Sequence, residues 1–97
     1  MPKLVVSDRE KTWLVDLQPG ETLVVGRSSA CDLRIAEPRA SRRHLRIEAS
    51  ADGHLLRDLG STNGTTLNGA PFSDAMALAD GDAVDAAGCR IAYWSRP

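Results

Sequence analysis

Apolar residues come in short bursts along this chain. Leu4-Val5-Val6, Trp13-Leu14-Val15 and Leu23-Val24-Val25 are three such runs, rich in β-branched side chains. His44-Leu45-Arg46-Ile47-Glu48 alternates polar and apolar, the period of a strand with one buried face. Arg90-Ile91-Ala92-Tyr93-Trp94 reads as a closing strand. Turn formers stand between the runs: Pro19-Gly20, Asp52-Gly53, Gly60, Asn63-Gly64, Asn68-Gly69 and Asp80-Gly81-Asp82. Short strands punctuated this often predict an all-β domain, a sandwich with loops gathered at its ends. Only residues 73–80, SDAMALAD, look briefly helical, with loop plus strand as the alternative. The polar, alanine-rich stretch Val84 to Gly88 leaves the length of the last hairpin open.

Residues 58–69 read DLGSTNGTTLNG and hold two Asn-Gly pairs. Asn-Gly is a strong hairpin signal, because both residues tolerate positive φ. Only Thr65, Thr66 and Leu67 lie between the pairs, enough for one very short strand. Asn68-Gly69 reads as architecture. Asn63-Gly64 turns the chain too, and the same turn can present the polar run Ser61-Thr62-Asn63.

Length and composition narrow the class. Ninety-seven residues suit one domain, taken here as 1–97 with a core from about 4 to 94. A hydrophobic fraction of 42% fits a globular chain and exceeds that of a disordered one. Trp13, Phe72, Tyr93 and Trp94 are the only aromatics, so the core must rest on Leu, Val, Ile and Ala. No long apolar run is present at the N-terminus or elsewhere, so no signal peptide or membrane insertion is expected, and the chain reads as cytoplasmic. Cys31 and Cys89 form no CxxC pair; they read as buried free thiols in a reducing compartment.

Charge is unevenly spread around a net of −1. Residues 1–57 carry ten Lys/Arg against eight Asp/Glu, and residues 58–97 carry two against five. Arg34, Arg39, Arg42, Arg43 and Arg46 crowd together. Alone, that cluster reads as a solvated strand edge and loop. A nucleic-acid binder is the bolder reading, and the acidic second half argues against it.

Enzyme chemistry finds little footing. Ser41, His44 and Asp58 are the residue types of a hydrolase triad, but there is no G-x-S-x-G elbow. Cys31, His44, His54 and Cys89 lack zinc-ligand spacing, so no metal or other cofactor is expected. Gly60-Ser61-Thr62-Asn63-Gly64 lacks the Gly-Lys-[Ser/Thr] ending of a P-loop. Asn63-Gly64-Thr65 matches the glycosylation pattern without a secretory signal to give it meaning.

A different constellation survives. Gly26-Arg27 closes an apolar strand, Ser41-Arg42-Arg43-His44 opens the alternating one, and Ser61-Thr62-Asn63-Gly64 lies in a turn. Each group sits at a strand end. Together they offer guanidinium forks, hydroxyls and an amide, which are donors suited to a phosphate on a peptide.

These blocks resemble the forkhead-associated (FHA) domain. The likeness runs through GRSSACDLRI, ASRRHLRI, LRDLGSTNGTTLNG and LADGDAV, and covers about residues 4 to 94. It implies a β-sandwich of about eleven strands, in two twisted, mainly antiparallel sheets, that binds phosphothreonine peptides through loops at one end. By the same resemblance Arg27 is the main phosphate-binding arginine, Ser41 a hydroxyl donor, and Thr62 a second phosphate contact. Asn63 matches the asparagine that holds the peptide main chain. Arg42 follows the serine and adds charge or a backbone contact. Gly26, His44, Ser61 and Gly64 match positions that shape the loops. Arg39 lies in a loop that can read the residue three after the phosphothreonine, with an acidic preference. The implied partner is a Thr-phosphorylated protein served by an upstream Ser/Thr kinase, bound by a monomeric, non-enzymatic domain. The alternative is a phospho-independent assembly module of a larger protein.

Overall fold

Strand-forming runs broken by glycine turns leave the chain one way to bury its aliphatic residues: two sheets face to face. The computed structural model describes residues 2–72 and 74–95, in eleven strands. They are β1 (Lys3–Ser7), β2 (Thr12–Asp16), β3 (Leu23–Gly26), β4 (Leu33–Arg34), β5 (Leu45–Ser50) and β6 (Gly53–Asp58). Then follow β7 (Thr65–Leu67), β8 (Ala70–Pro71), β9 (Ala75–Ala77), β10 (Ala83–Ala86) and β11 (Cys89–Trp94). One sheet has the order β2-β1-β11-β10-β7-β8 and the other β4-β3-β5-β6-β9. Among the described residues every strand pairing is antiparallel except β3 with β4. No helix occurs among the described residues, so none is long and apolar enough to cross a membrane.

Period-two alternation builds the core. Leu4, Val6, Val84, Ala86, Ile91 and Tyr93 are buried on the first sheet, and Leu23, Val25, Leu45, Ile47 and Leu56 on the second. Full burial of such an aliphatic side chain contributes roughly 1.5–3 kcal/mol. His54 also points inward, and its Nδ1 lies 2.9 Å from the Tyr93 hydroxyl across the two sheets.

Residues 73–80 are not helical where described. Ala75–Ala77 form β9 at the edge of the second sheet, paired with β6. The segment takes the loop-plus-strand alternative because β6 offers a free edge and eight residues cannot sustain an isolated helix. Ser73 lies outside the described residues. Cys31 is half-exposed in the loop after β3, not buried as expected; Cys89 is buried, and both are free thiols.

The two Asn-Gly pairs differ. Asn68 (φ 52°) and Gly69 (φ 83°) make the two-residue hairpin joining β7 to β8, with left-handed backbone at both positions. At the other pair only Gly64 is left-handed (φ 79°), and the chain there crosses from one sheet to the other. Ala87 (φ 54°) and Gly88 (φ 98°) close the last hairpin, between Ala86 and its partner Cys89.

Strand register gathers the connections that matter. Val25 lies opposite Leu45, and Leu45 opposite Asp58. Ala86 lies opposite Thr65, and Arg90 opposite both Ser7 and Asp85. The connections 8–11, 27–32, 35–44, 59–64 and 87–88 therefore all emerge at one end of the sandwich.

Candidate functional site: a loop cluster at one end of the sandwich

Gly26 sets how closely the loops approach. A Cβ there would stand 2.1 Å from the Arg42 carbonyl oxygen, so only glycine fits against that backbone. The contact is stitched by main-chain bonds. The Arg27 N–H donates to the Ser41 carbonyl at 3.0 Å, and the Ser28 N–H to the Arg42 carbonyl at 3.1 Å. The Cys31 thiol donates to the same Arg42 oxygen. Arg27 itself is exposed, and its Nε–H donates to the Ala40 carbonyl at 3.0 Å. That bond fixes the guanidinium plane and leaves both terminal NH₂ groups available.

His44 is fully buried and joins two loops. Its Nδ1 accepts the Ser41 N–H at 3.0 Å. The ring proton therefore sits on Nε2, which donates to the Gly64 carbonyl at 2.8 Å. Its carbonyl also accepts the Leu59 N–H at 3.0 Å. Both ring nitrogens are occupied, so His44 supports the loops and has no free nitrogen for proton transfer.

A cross-brace connects loop 35–44 to loop 59–64. The Thr62 N–H donates to Ser41 Oγ at 3.0 Å. Asn63 Nδ2 donates to the Arg39 carbonyl at 2.6 Å. The Ser41 hydroxyl thus accepts from within the protein and keeps its own proton to donate outward. Thr62, Asn63, Arg39 and Arg42 are exposed, and Ser41 is half-buried.

Asp58 organises the loop from below. Its Oδ2 accepts the Gly60 and Ser61 N–H groups, each at 3.0 Å. Its Oδ1 accepts the Ser61 and Thr65 hydroxyls at 2.5 and 2.6 Å. Burial raises the carboxyl's pKa, but these four donors outweigh it and hold the group below the usual carboxylate value. Ser61 therefore shapes the loop with its side chain turned toward Asp58. In the sequence Asp58 stands out only as the acidic member of a triad that lacks its elbow. The Asp-x-x-Ser spacing at a strand end is the signal that reveals its role, since Asp caps the backbone two and three residues on.

Of the predicted residues, Arg27, Arg39, Ser41, Thr62 and Asn63 belong to this one braced cluster, with Gly26, His44, Ser61 and Gly64 beneath or beside it. Arg42 also borders a separate hollow with Val24, Cys31, Asp32 and Arg43. Arg42 serves the cluster through its carbonyl. Of the crowded arginines, Arg46 leaves the loops entirely: with Arg57 it pairs Glu48 at 2.6 and 2.5 Å on the second sheet.

Fold and cluster together define a class: a β-sandwich that presents donor-rich loops at one end. The FHA domain model matches residues 23–86, and the chain belongs to this family. It is 44% identical over 61 residues to the FHA domain-containing protein FhaA of Mycobacterium tuberculosis, a match covering 63% of this chain and 11% of that protein. The chain thus spans about a tenth of that relative's length. An FHA domain solved in a study of phosphothreonine-dependent FHA interactions superposes with a TM-score of 0.82 at 35% identity, covering 99% of this chain and 97% of the other. The FhaA FHA domain, solved in complex with the intracellular domain of Rv3910, gives 0.83 at 34% identity, covering 96% and 99%.

Proposed function

We propose that this domain is a phosphothreonine-dependent protein–protein interaction module. The cross-brace between Ser41, Thr62, Asn63 and Arg39 carries the reading. It uses each group's inward-facing capacity and leaves the outward-facing capacity unspent. Arg27 would present its terminal NH₂ groups to the phosphate oxygens. Ser41 would donate its hydroxyl proton, and Thr62 would add a second hydroxyl. Asn63 retains one N–H and its carbonyl oxygen for the peptide main chain. Arg42 would contribute long-range charge. Arg39, exposed beside the brace, would read an acidic residue three after the phosphothreonine.

Charge and shape both favour phosphate over carboxylate. A phosphorylated side chain carries about −1.5 to −2 charges and three acceptor oxygens, against one charge and two oxygens for aspartate. The four donor groups match the first better. Binding should weaken below about pH 6, where the phosphate dianion is lost.

The same reading makes the domain a recognition element, not an enzyme. It works as a single copy in the cytoplasm, downstream of a Ser/Thr kinase that phosphorylates its partner. Two free thiols fit such a reducing compartment. An array of matched threonine, phosphothreonine, phosphoserine and aspartate peptides tests the proposal. Phosphothreonine spots should retain the protein and the matched others should fail or bind poorly. Equal retention of unphosphorylated threonine peptides would establish the constitutive assembly module instead.

A further inference from the structure

Beside the loop cluster lies a second hollow of about 360 Å³. Arg27 forms one wall, and Arg9 and Arg34 form others, with Glu10 and Glu37 completing the charged lining. We infer that Arg9 and Arg34 make a carboxylate subsite, which takes one Asp or Glu side chain of the same peptide whose phosphothreonine sits at Arg27. This inference rests on the phosphopeptide reading above and adds to it a second determinant of partner choice.

Contiguity is the first support. Arg27 Nε is tied to the Ala40 carbonyl, and Arg27 itself lines the hollow together with Ala36, Glu37 and Pro38 of the same connection. A peptide anchored by its phosphate at Arg27 is therefore within reach of this hollow.

Preorganisation is the second. Arg9 and Glu10 lie in the β1–β2 turn, and Asp8 latches that turn in place. Its Oδ1 accepts the Glu10 and Lys11 N–H groups at 2.8 and 3.0 Å. Its Oδ2 reaches the Ala36 N–H at 2.8 Å, across to the segment after β4. Burial raises the Asp8 pKa, and the three N–H donors with Lys11 outweigh it, so the latch stays ionised at neutral pH. The turn bearing Arg9 is thereby fixed against the wall bearing Arg34.

Unspent charge is the third. Among the described residues the two ion pairs both belong to Glu48, and neither Arg9 nor Arg34 has a hydrogen-bonded side-chain partner. A guanidinium fork matches a carboxylate with two parallel bonds. The two glutamates set the ligand's size and charge. Glu37 reaches toward the last hairpin, with Oε1 3.5 Å from where a Gly88 Cβ would stand. Glu10 and Glu37 would repel a second phosphate, with nearly two charges, more than a single carboxylate.

The test is a positional scan around the phosphothreonine, placing Asp, Glu, Asn, Gln or a second phosphothreonine at each flanking position. Dissociation constants are measured for the wild type and for Arg9→Gln, Arg34→Gln, Arg39→Gln and Glu10→Gln. At one position Asp or Glu should tighten binding roughly three- to tenfold over its amide. Arg9→Gln and Arg34→Gln should abolish that gain while leaving the acid-free phosphopeptide unchanged. Glu10→Gln should enlarge it, Arg39→Gln should leave it intact, and a second phosphothreonine should do no better than Asp. Phosphopeptide binding without any acidic preference, or a preference that survives Arg9→Gln and Arg34→Gln together, overturns the subsite alone. Failure of every phosphothreonine peptide to bind overturns the phosphopeptide reading, and the subsite with it.

Discussion

Replacing Asp58 with Asn preserves volume and removes the charge on which loop 59–64 hangs. The carboxylate accepts four hydrogen bonds, two from main-chain N–H groups and two from hydroxyls. An amide oxygen can keep one pair. Its NH₂ then faces the other pair, so the amide settles with its oxygen toward the Gly60 and Ser61 N–H groups and its NH₂ toward the two hydroxyls. Hydroxyls can rotate to compensate, but peptide N–H groups cannot. Bonds to a charged group are worth about 1.5–3 kcal/mol each. Gly60 is exposed, so the low end applies, and four neutral bonds of about 1 kcal/mol each replace four charge-assisted ones, a loss of roughly 2 kcal/mol. At about 2.1 cal/mol/K of unfolding entropy per residue, a chain of this length loses about 10 °C in Tm.

Calorimetry or thermal circular dichroism at neutral pH reads that shift directly. A pH series adds a second check. The folded-state pKa of Asp58 is depressed, so its stabilisation is present above the ordinary carboxylate range and is lost as pH falls through the folded value. The gap between wild type and Asp58→Asn should therefore close in strong acid. Phosphopeptide affinity should fall with the substitution, because Thr62 and Asn63 ride on the same loop. An unchanged Tm at neutral pH would show that the Asp58 network does not hold the loop.

Three further outcomes follow from the same geometry. Gly26→Ala forces a Cβ against the Arg42 carbonyl and should destabilise the fold by about 1–3 kcal/mol, measurable as a lower urea midpoint at unchanged slope. His54 is buried with Nε2 unpartnered among the described residues; burial, partly offset by Glu21, depresses its pKa, so stability should fall as pH drops below the ordinary histidine range, and His54→Phe should flatten that dependence in acid melts. Burial, with the nearby charges of Asp8, Glu37 and Asp85, pushes the Cys89 thiol up to about 12, so iodoacetamide should label half-exposed Cys31 alone in the native protein and both thiols in denaturant.

The long strands were legible because period-two alternation directly marks a half-buried sheet. Leu45 and Ile47 point inward and Arg46 and Glu48 outward, as the residue types require. The two-residue strands β4 and β8 were not legible, since two residues cannot display a period and β4 owes its existence to parallel pairing with β3. The alanine-rich segment around Met76 misled for a related reason: alanine favours helix locally, and the open edge of β6 overrode that preference. Ala87 hid the last hairpin, because a left-handed turn is usually announced by Asn or Asp before the glycine.

The loop cluster was legible as residue types at strand ends, and its wiring was not. Ser41 and Thr62 lie far apart in the chain, and only the fold brings a hydroxyl of one to the amide of the other. The latch from Asp8 to Ala36 spans a similar gap. Arg42 and Arg46 look equivalent to Arg27 in a list of basic residues. Arg42 meets the cluster through its carbonyl, and Arg46 is spent on Glu48.

The central claim is that Arg27 reads a phosphate. Isothermal titration of one array-selected phosphothreonine peptide into the wild type and into Arg27→Ala tests it most directly, with the unphosphorylated peptide as reference. Losing a charge-assisted bond of about 1.5–3 kcal/mol should weaken binding at least roughly tenfold and bring the variant toward the unphosphorylated baseline. Equal affinity of wild type and Arg27→Ala, in a variant shown to be folded, would contradict the account.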